Sequence, residues 1–445
     1  MKKLLALFLS YVMVFALFSS AAMLPSLAVG FAGGTGTAAD PYQVSTPEQL
    51  SEVRNYGRKH FIQICDIDLG PATSEGGIYY NDGEGWVPIS LSGTYDGGGY
   101  AVKNIMINRP AAVGAQGLFS SNGEDSSVKN LGIKGGSISG RNQVGGVAGC
   151  TEGAIINCYN TAAISGTSSV GGVAGFARKI ENCYNTGTVS GTTSVGGVAG
   201  GARFLVQGCY NAGNVSGSIS IGGVTGSPNL YASVNRNYNV GNVSGSSSVG
   251  GIVGSNNAKL LENCYNAGTI RGDKHVGGIV GYNAGRLSNL YNIGDVDSYE
   301  TTSAVGGGIG THDYSNPIHN CYTLDIGHVS LFSTILTVDQ MKDNLSFTGF
   351  DFDTIWDISP TVNDGFPTLR NMPVKNTTTI LYGDVNGDGD IDFMDAQLIL
   401  QYDAGLITLT PEQLAAADVN KDGDVDFMDA QLISQYDAGL MTAFE

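Results

Sequence analysis

Val170-Gly171-Gly172-Val173-Ala174-Gly175, followed shortly by Asn182-Cys183-Tyr184-Asn185, is the stretch that decides how this chain folds, because both blocks keep returning. Val/Ile-Gly-Gly begins at Val144, Val170, Val195, Ile221, Val249, Val276 and Val305, in steps of 26, 25, 26, 28, 27 and 29 residues. Asn-Cys-Tyr-Asn occupies 157–160, 182–185 and 263–266. Degenerate copies keep the same step at Cys209-Tyr210-Asn211, Asn237-Tyr238-Asn239, Leu290-Tyr291-Asn292 and Cys321-Tyr322. Each unit carries three short β-prone pieces separated by Gly, Ser, Thr and Asn, and no helical periodicity runs through the array. A unit this short cannot bury its own apolar side, but stacked units can. The expected fold is therefore mainly β, a right-handed parallel β-helix (a β-solenoid) with rungs of 25–29 residues. Successive rungs should lie about 4.8 Å apart, so that equivalent residues form ladders.

Earlier, less regular units show which way side chains point. Val102-Lys103-Asn104-Ile105-Met106-Ile107 and Val128-Lys129-Asn130-Leu131-Gly132-Ile133 align with Ile180-Glu181-Asn182-Cys183-Tyr184-Asn185. The Cys slot also accepts Ile105, Leu131 and Leu290, which marks it as inward and apolar. Five of the seven cysteines share that slot, so packing and not a disulfide framework is expected. Neighbours on a strand face opposite sides. Tyr159, Tyr184, Tyr210, Tyr238, Tyr265, Tyr291 and Tyr322 should then form an outward stripe, either a ladder that stabilises the solenoid by stacking on itself or a ligand surface, because aromatic rings can also stack on sugars. The Asn before Cys is expected at a bend.

Outside the array, Met1-Lys2-Lys3, an apolar run from Leu4 to about Met23 and Ser26-Leu27-Ala28 read as a secretory signal peptide over 1–28, with an uncleaved anchor as the alternative. Residues 29–110 read as an N-terminal cap and first rungs, 111–370 as the solenoid with its C-terminal cap, 371–380 as a polar linker and 381–445 as a separate domain. Thr46-Pro47-Glu48-Gln49 opens a short capping helix, Thr337-Val338-Asp339-Gln340 opens another, and Phe350, Phe352, Trp356 and Phe366 supply aromatic closure. Net charge is −18, and twelve Asp, two Glu and one Lys place 13 negative charges between Leu381 and Glu445. Acidity so concentrated points to a cation site, and without a basic cluster nucleic acid is excluded as a partner.

Within that tail, Asp384-Val385-Asn386-Gly387-Asp388-Gly389-Asp390-Ile391-Asp392-Phe393-Met394-Asp395 recurs as Asp418-Val419-Asn420-Lys421-Asp422-Gly423-Asp424-Val425-Asp426-Phe427-Met428-Asp429. Oxygen donors at positions 1, 3, 5, 9 and 12, with Gly at 6, suit a seven-coordinate Ca²⁺, so two calcium sites are expected. An amphipathic helix follows each loop, Ala396 to Gly405 and Ala430 to Gly439. No helical pattern precedes the first loop, and Thr410-Pro411-Glu412-Gln413 opens a short middle helix. This plan, with Asp instead of Glu at position 12, resembles the type I dockerin family over Gly383 to Gly439. The resemblance implies that Asp384, Asn386, Asp388, Asp390 and Asp395, with Asp418, Asn420, Asp422, Asp424 and Asp429, hold calcium, Asp390 and Asp424 through backbone carbonyls. Asp392 and Asp426 join them as the oxygen donors of position 9. It further implies that Phe393, Met394, Gln397 and Leu398, with Phe427, Met428, Gln431 and Leu432, contact a cohesin module. Many family members carry small hydroxyl residues where this chain has Phe-Met, which points to a more apolar contact. The two halves are nearly identical, so a partner is expected to dock in either orientation.

The Gly-rich units resemble the GLUG repeat of bacterial surface proteins, which implies secretion and a solenoid but no chemistry. Acidic residues between Ala111 and Val329, such as Glu152, Glu181, Glu262, Asp273, Asp295 and Asp297, are scattered singly and form no acid–base pair on adjacent rungs. The five His lack metal spacing, and the Gly-Gly pairs lack the Lys-Ser/Thr of a phosphate loop. The expectation is an exported component of a cellulosome-like assembly, held by calcium-dependent cohesin binding, with the solenoid as an adhesion or polysaccharide-binding surface and no membrane contact once the signal is cleaved. The rival reading is a β-helix polysaccharide lyase or glycoside hydrolase.

Overall fold

The computed structural model describes residues 30–298, 305–314, 316–325, 332–372, 381–387, 390–409, 411–441 and 443–444. The expected signal peptide, most of the linker, Asp388 and Thr410 lie outside these residues. The chain forms a β-solenoid of about 8 turns, followed by a small helical tail. Val144, Val170, Val195, Ile221, Val249, Val276 and Val305 are successive parallel partners, so the sequence period is the structural one. The earlier regular turns have four strands, for example Ser168–Gly171, Ala174–Glu181, Tyr184–Asn185 and Val189–Ser190, while those from Val243 have the expected three, for example Val243–Gly250, Val253–Asn256 and Leu260–Asn266. In the four-strand turns one break falls at the Asn before Cys. Asn157, Asn182 and Asn263 sit at φ of 52°, 53° and 51°, a left-handed corner that Asn tolerates better than most residues. A second left-handed corner falls just before each Val-Gly-Gly, at Ser169, Ser194, Ser220 and Ser248.

Inside the coil, Val170, Val173, Ile180 and Cys183 belong to one continuous apolar core with their equivalents in other turns. All seven cysteines are free thiols, and the five of the shared slot are buried. Burial pushes the Cys264 and Cys321 thiols up to about 12. Beside the apolar columns runs a polar one. Asn160, Asn185, Asn211, Asn239, Asn266 and Asn292 are wholly buried. Each of the first five donates from Nδ2 to the Oδ1 of the next at 2.8 Å. All six also donate from Nδ2 to the carbonyl two residues on, at 2.7–2.9 Å. Asn160 Oδ1 heads the ladder without a donor, because the preceding turn offers Ile133 at that register. The Gly-Gly pairs serve this column. Gly197 is not at positive φ; a Cβ there would collide with the Asn211 amide and the Gly223 carbonyl.

At the N-terminal end, Thr46 accepts a hydrogen bond from the Gln49 N–H and starts the helix Pro47–Glu52, whose Leu50 enters the core. The other expected closure is displaced. The helix Val338–Met341 does form, with a complete capping box at Thr337 and Gln340. The aromatic residues after it, however, do not plug the far end of the coil. Phe347, Phe350, Trp356 and Leu369 pack along the flank against Tyr238, Tyr265, Tyr291 and Tyr322. A stripe of rings projecting from the strands gives that segment a long apolar strip to cover.

Replacing Asn211 with Ala strands the Asn185 amide, the Gly213 carbonyl and Asn239 Oδ1, and should cost about 2 kcal/mol or more, read as a lowered urea midpoint. The thiols of Cys158, Cys183, Cys209, Cys264 and Cys321 should resist iodoacetamide at about pH 8 until the protein is unfolded, as mass spectrometry of the alkylated chain will read.

Candidate functional site

Each acidic loop of the tail runs directly into a helix, and the loop carboxylates make that junction. Asp392 caps the helix Phe393–Asp403 by accepting from the Met394 N–H, and Asp426 caps Phe427–Asp437 by accepting from the Met428 N–H. The helices thus begin three residues before the expected Ala396 and Ala430, since position 9 is an N-cap and position 12 its reciprocal partner. One oxygen of each position-9 carboxylate is therefore committed to its helix.

Position 12 is the pivot. Asp395 and Asp429 are fully buried. Asp429 Oδ1 accepts from the Val419 and Asn420 N–H groups at 3.0 and 3.3 Å, and Oδ2 from Asp426 N–H at 3.0 Å. Asp395 is held in the same way by Val385, Asn386 and Asp392. Burial raises the Asp429 carboxyl above the usual carboxylate range, against the pull of these donors, and Asp418 adds to the rise. A bound divalent cation reverses such a penalty.

Whether the residues fit calcium is tested in the second loop. Asp418 Oδ1 is buried without a hydrogen-bond partner, while its Oδ2 accepts from Gly423 N–H at 3.2 Å. Asn420 Oδ1 accepts from Asp422 N–H, and Asp422 Oδ1 from Asp424 N–H, each at 2.9 Å. The loop is wound around oxygen atoms, one of them orphaned, which suits a hard cation. Among the described residues no three His, Cys, Asp or Glu side chains converge at metal spacing. The expected donors also include groups of another kind, the Asn420 amide and the Asp424 main-chain carbonyl, and Asp388 of the first loop lies outside the described residues.

The expected contact face divides in two. Phe393, Met394, Phe427 and Met428 are exposed by 58%, 57%, 57% and 54%, so both copies display the same apolar pair. Leu398 and Leu432, by contrast, pack against the tail's own core of Val385, Ala396, Ile399, Ala417, Val419, Ala430 and Ile433. Gln397 is half-buried and Gln431 exposed.

The tyrosine stripe exists but is not the open surface expected. Ring centroids from Tyr159 through Tyr291 are spaced 4.9–5.1 Å with planes within 8° of parallel. Tyr238, Tyr265, Tyr291 and Tyr322 are buried beneath the folded-back segment, Tyr291 Oη donating to the Pro367 carbonyl. Only Tyr159, Tyr184 and Tyr210 remain half-exposed. The physical reason is the apolar cover described above.

The acidic residues of the solenoid are less scattered than their spacing implies. Glu124, Asp125 and Glu152 come together with Arg178, Lys179 and Phe204 around one open cavity of about 490 Å³. Sequence alignment missed it because the corner of each turn has a different length, so the residues that meet do not share a repeat position. The uneven steps between successive Val-Gly-Gly blocks are the signal that was there to read.

Comparison with known proteins follows the same division. Residues 382–436 match the dockerin type I domain, and residues 166–190 match the GLUG motif. Halomucin of Haloquadratum walsbyi is 33% identical over 133 residues, 28% of this chain and 1% of that protein. A protein provisionally described as a Gly-rich membrane protein, from Evansella cellulosilytica, is 36% identical over 137 residues, 28% of this chain and 15% of that protein. This chain therefore spans a small fraction of the length of either relative. Among solved structures, a protein provisionally titled an immunoglobulin A1 protease from Bacteroides ovatus aligns with TM-score 0.43 at 19% identity, covering 76% of this chain and 95% of that one. The chain thus carries a type I dockerin at its C-terminal end and a GLUG motif in its solenoid. Type I dockerins bind calcium, and a dockerin implies a cohesin partner and an extracellular setting. No described helix is long and apolar enough to cross a membrane.

Chelation by EGTA should uncouple the tail. Helical circular dichroism from Phe393–Asp403 and Phe427–Asp437 should fall, proteolysis should cut within the tail before the solenoid, and added Ca²⁺ should reverse both.

Proposed function

We propose that this protein is a secreted component of a cellulosome-type assembly, docked through its tail onto a cohesin of a scaffold or cell-surface protein, with the solenoid as an adhesion or polysaccharide-binding surface. The observation that carries the reading is the duplicated, exposed Phe-Met pair at the head of two helices whose loops are closed by buried Asp395 and Asp429. Each loop takes one Ca²⁺, two in all. The ion organises oxygens that would otherwise repel one another, and the ordered loop then aims its Phe-Met pair outward. Because both copies present the same pair, either one serves as the primary contact. An apolar pair of this kind gains most from a partner surface that is itself apolar and withdraws both side chains from water.

A second reading, a β-helix lyase or hydrolase, draws on the three carboxylates of the solenoid cavity. It is the weaker one. Glu152 is ion-paired with Arg203 at 3.0 Å, and Glu124 and Asp125 are exposed, without the burial that prepares a general acid.

Calorimetric titration of the full chain should give two Ca²⁺ per chain, and Asp384→Ala or Asp418→Ala should each remove one. Binding to a cohesin panel should survive Phe393→Asp with Met394→Asp, survive Phe427→Asp with Met428→Asp, and fall by about a hundredfold or more when all four are changed. Loss of binding from one pair alone would show a single working face.

A further inference from the structure

The solenoid's cavity owes its shape to a difference in turn length. The turn from Val170 to Val195 is one residue shorter than those on either side, which run from Val144 and from Val195 in steps of 26 against its 25. The missing residue is lost at one corner. Thr151 pairs with Ala177 and Ala154 with Lys179, so Glu152 and Gly153 together oppose Arg178. On the other side Ala177 pairs with Ala202 and Lys179 with Leu205, so Arg203 and Phe204 oppose the same Arg178. The short turn is thus a recessed floor between two bulged walls, and bulges of this kind re-aim side chains.

What the bulges display is specific in chemistry. Phe204 is 40% exposed on a wall of the cavity instead of entering the core. The guanidinium carbons of Arg178 and Arg203 lie 5.3 and 5.4 Å from its ring centroid, which holds the ring upright. Arg203 is ion-paired with Glu152, Arg178 donates to the Glu152 carbonyl at 3.4 Å, and Lys179 pairs with Glu181 at 2.7 Å. In the next turn the corner swells again, leaving Leu230 and Tyr231 exposed by 61% and 62%. The site therefore combines a propped aromatic ring with paired donors and acceptors, and with the ion-pair partners Glu181 and Arg203 included its four carboxylates outnumber its three cations by one. That balance disfavours a polyanion. It suits a ligand of many hydroxyls and no charge, with an apolar ring face to lay on Phe204.

We propose that this groove is the solenoid's glycan-binding site and that it takes a neutral polysaccharide, one sugar stacked on Phe204 and its hydroxyls bridged by the Glu152–Arg203 and Arg178 groups. The inference rests on the adhesion reading above but assigns the contact to the groove in place of the tyrosine stripe.

Affinity electrophoresis of the full chain through gels of galactomannan, xyloglucan, mixed-linkage β-glucan or polygalacturonate tests it. Retardation by at least one neutral polymer is expected. Phe204→Ala should weaken that retardation about tenfold, the weight of one stacked ring. Glu152→Gln should weaken it too, while Tyr184→Leu should leave it unchanged. Unchanged near-ultraviolet circular dichroism confirms that each variant is folded. Retardation lost in Tyr184→Leu but kept in Phe204→Ala overturns the groove and leaves the adhesion reading standing on the stripe. Retardation by polygalacturonate alone overturns the neutral class. No retardation by any of the four polymers overturns the groove and the adhesion reading together.

Discussion

Close approach of successive coils is the constraint on which this structure depends, and the buried Asn ladder enforces it. A parallel coil can bury a whole column of amides when each coil supplies the next with the same amide at hydrogen-bond distance, and Asn185, Asn211 and Asn239 do so at 2.8 Å. The column leaves no room for a side chain on the facing strand, which is why Gly197 and its equivalents stand there. Polar satisfaction and glycine content are thus one requirement seen from two sides. The apolar columns fill the remaining volume, and the thiols fill it as small hydrophobes.

The regular coil also explains where the molecule is irregular. A perfect repeat gives flat flanks. Relief comes only where a turn gains or loses residues at a corner, as at Arg178 and again at Leu230 and Tyr231. The same logic accounts for the tyrosine column: a stack of like rings is itself a large apolar strip, and the segment carrying Phe347, Phe350 and Trp356 closes over half of it. The open part, Tyr159 to Tyr210, lies toward the N-terminal side of that cover.

The tail works by a different principle. Its core is only a handful of residues around Val385, Ile399, Val419 and Ile433, too few to hold many like charges together unaided. Asp395 and Asp429 each tie three backbone N–H groups from the loop and the start of its helix, so loop and helix order together. Whatever neutralises the loops therefore also sets the direction of Phe393 and Phe427, which on the proposed function couples metal binding to partner binding.

Periodicity, slot chemistry and loop spacing are properties of order along the chain, and they were legible without coordinates. The Val-Gly-Gly step predicted the stacking partners, Ile105 and Leu131 in the Cys slot predicted its burial, and the paired Asp-rich loops predicted the dockerin. The second Asn of Asn-Cys-Tyr-Asn recurs just as plainly, but its ladder is visible only in the stack, because half of each amide's hydrogen bonding lies with its copy in another turn. Two things belonged to the tertiary structure alone: the cover over Tyr238 to Tyr322 and the meeting of Glu152 with Arg203 across two turns. Each depends on distances between segments remote in sequence, and those are set by how turns of unequal length stack.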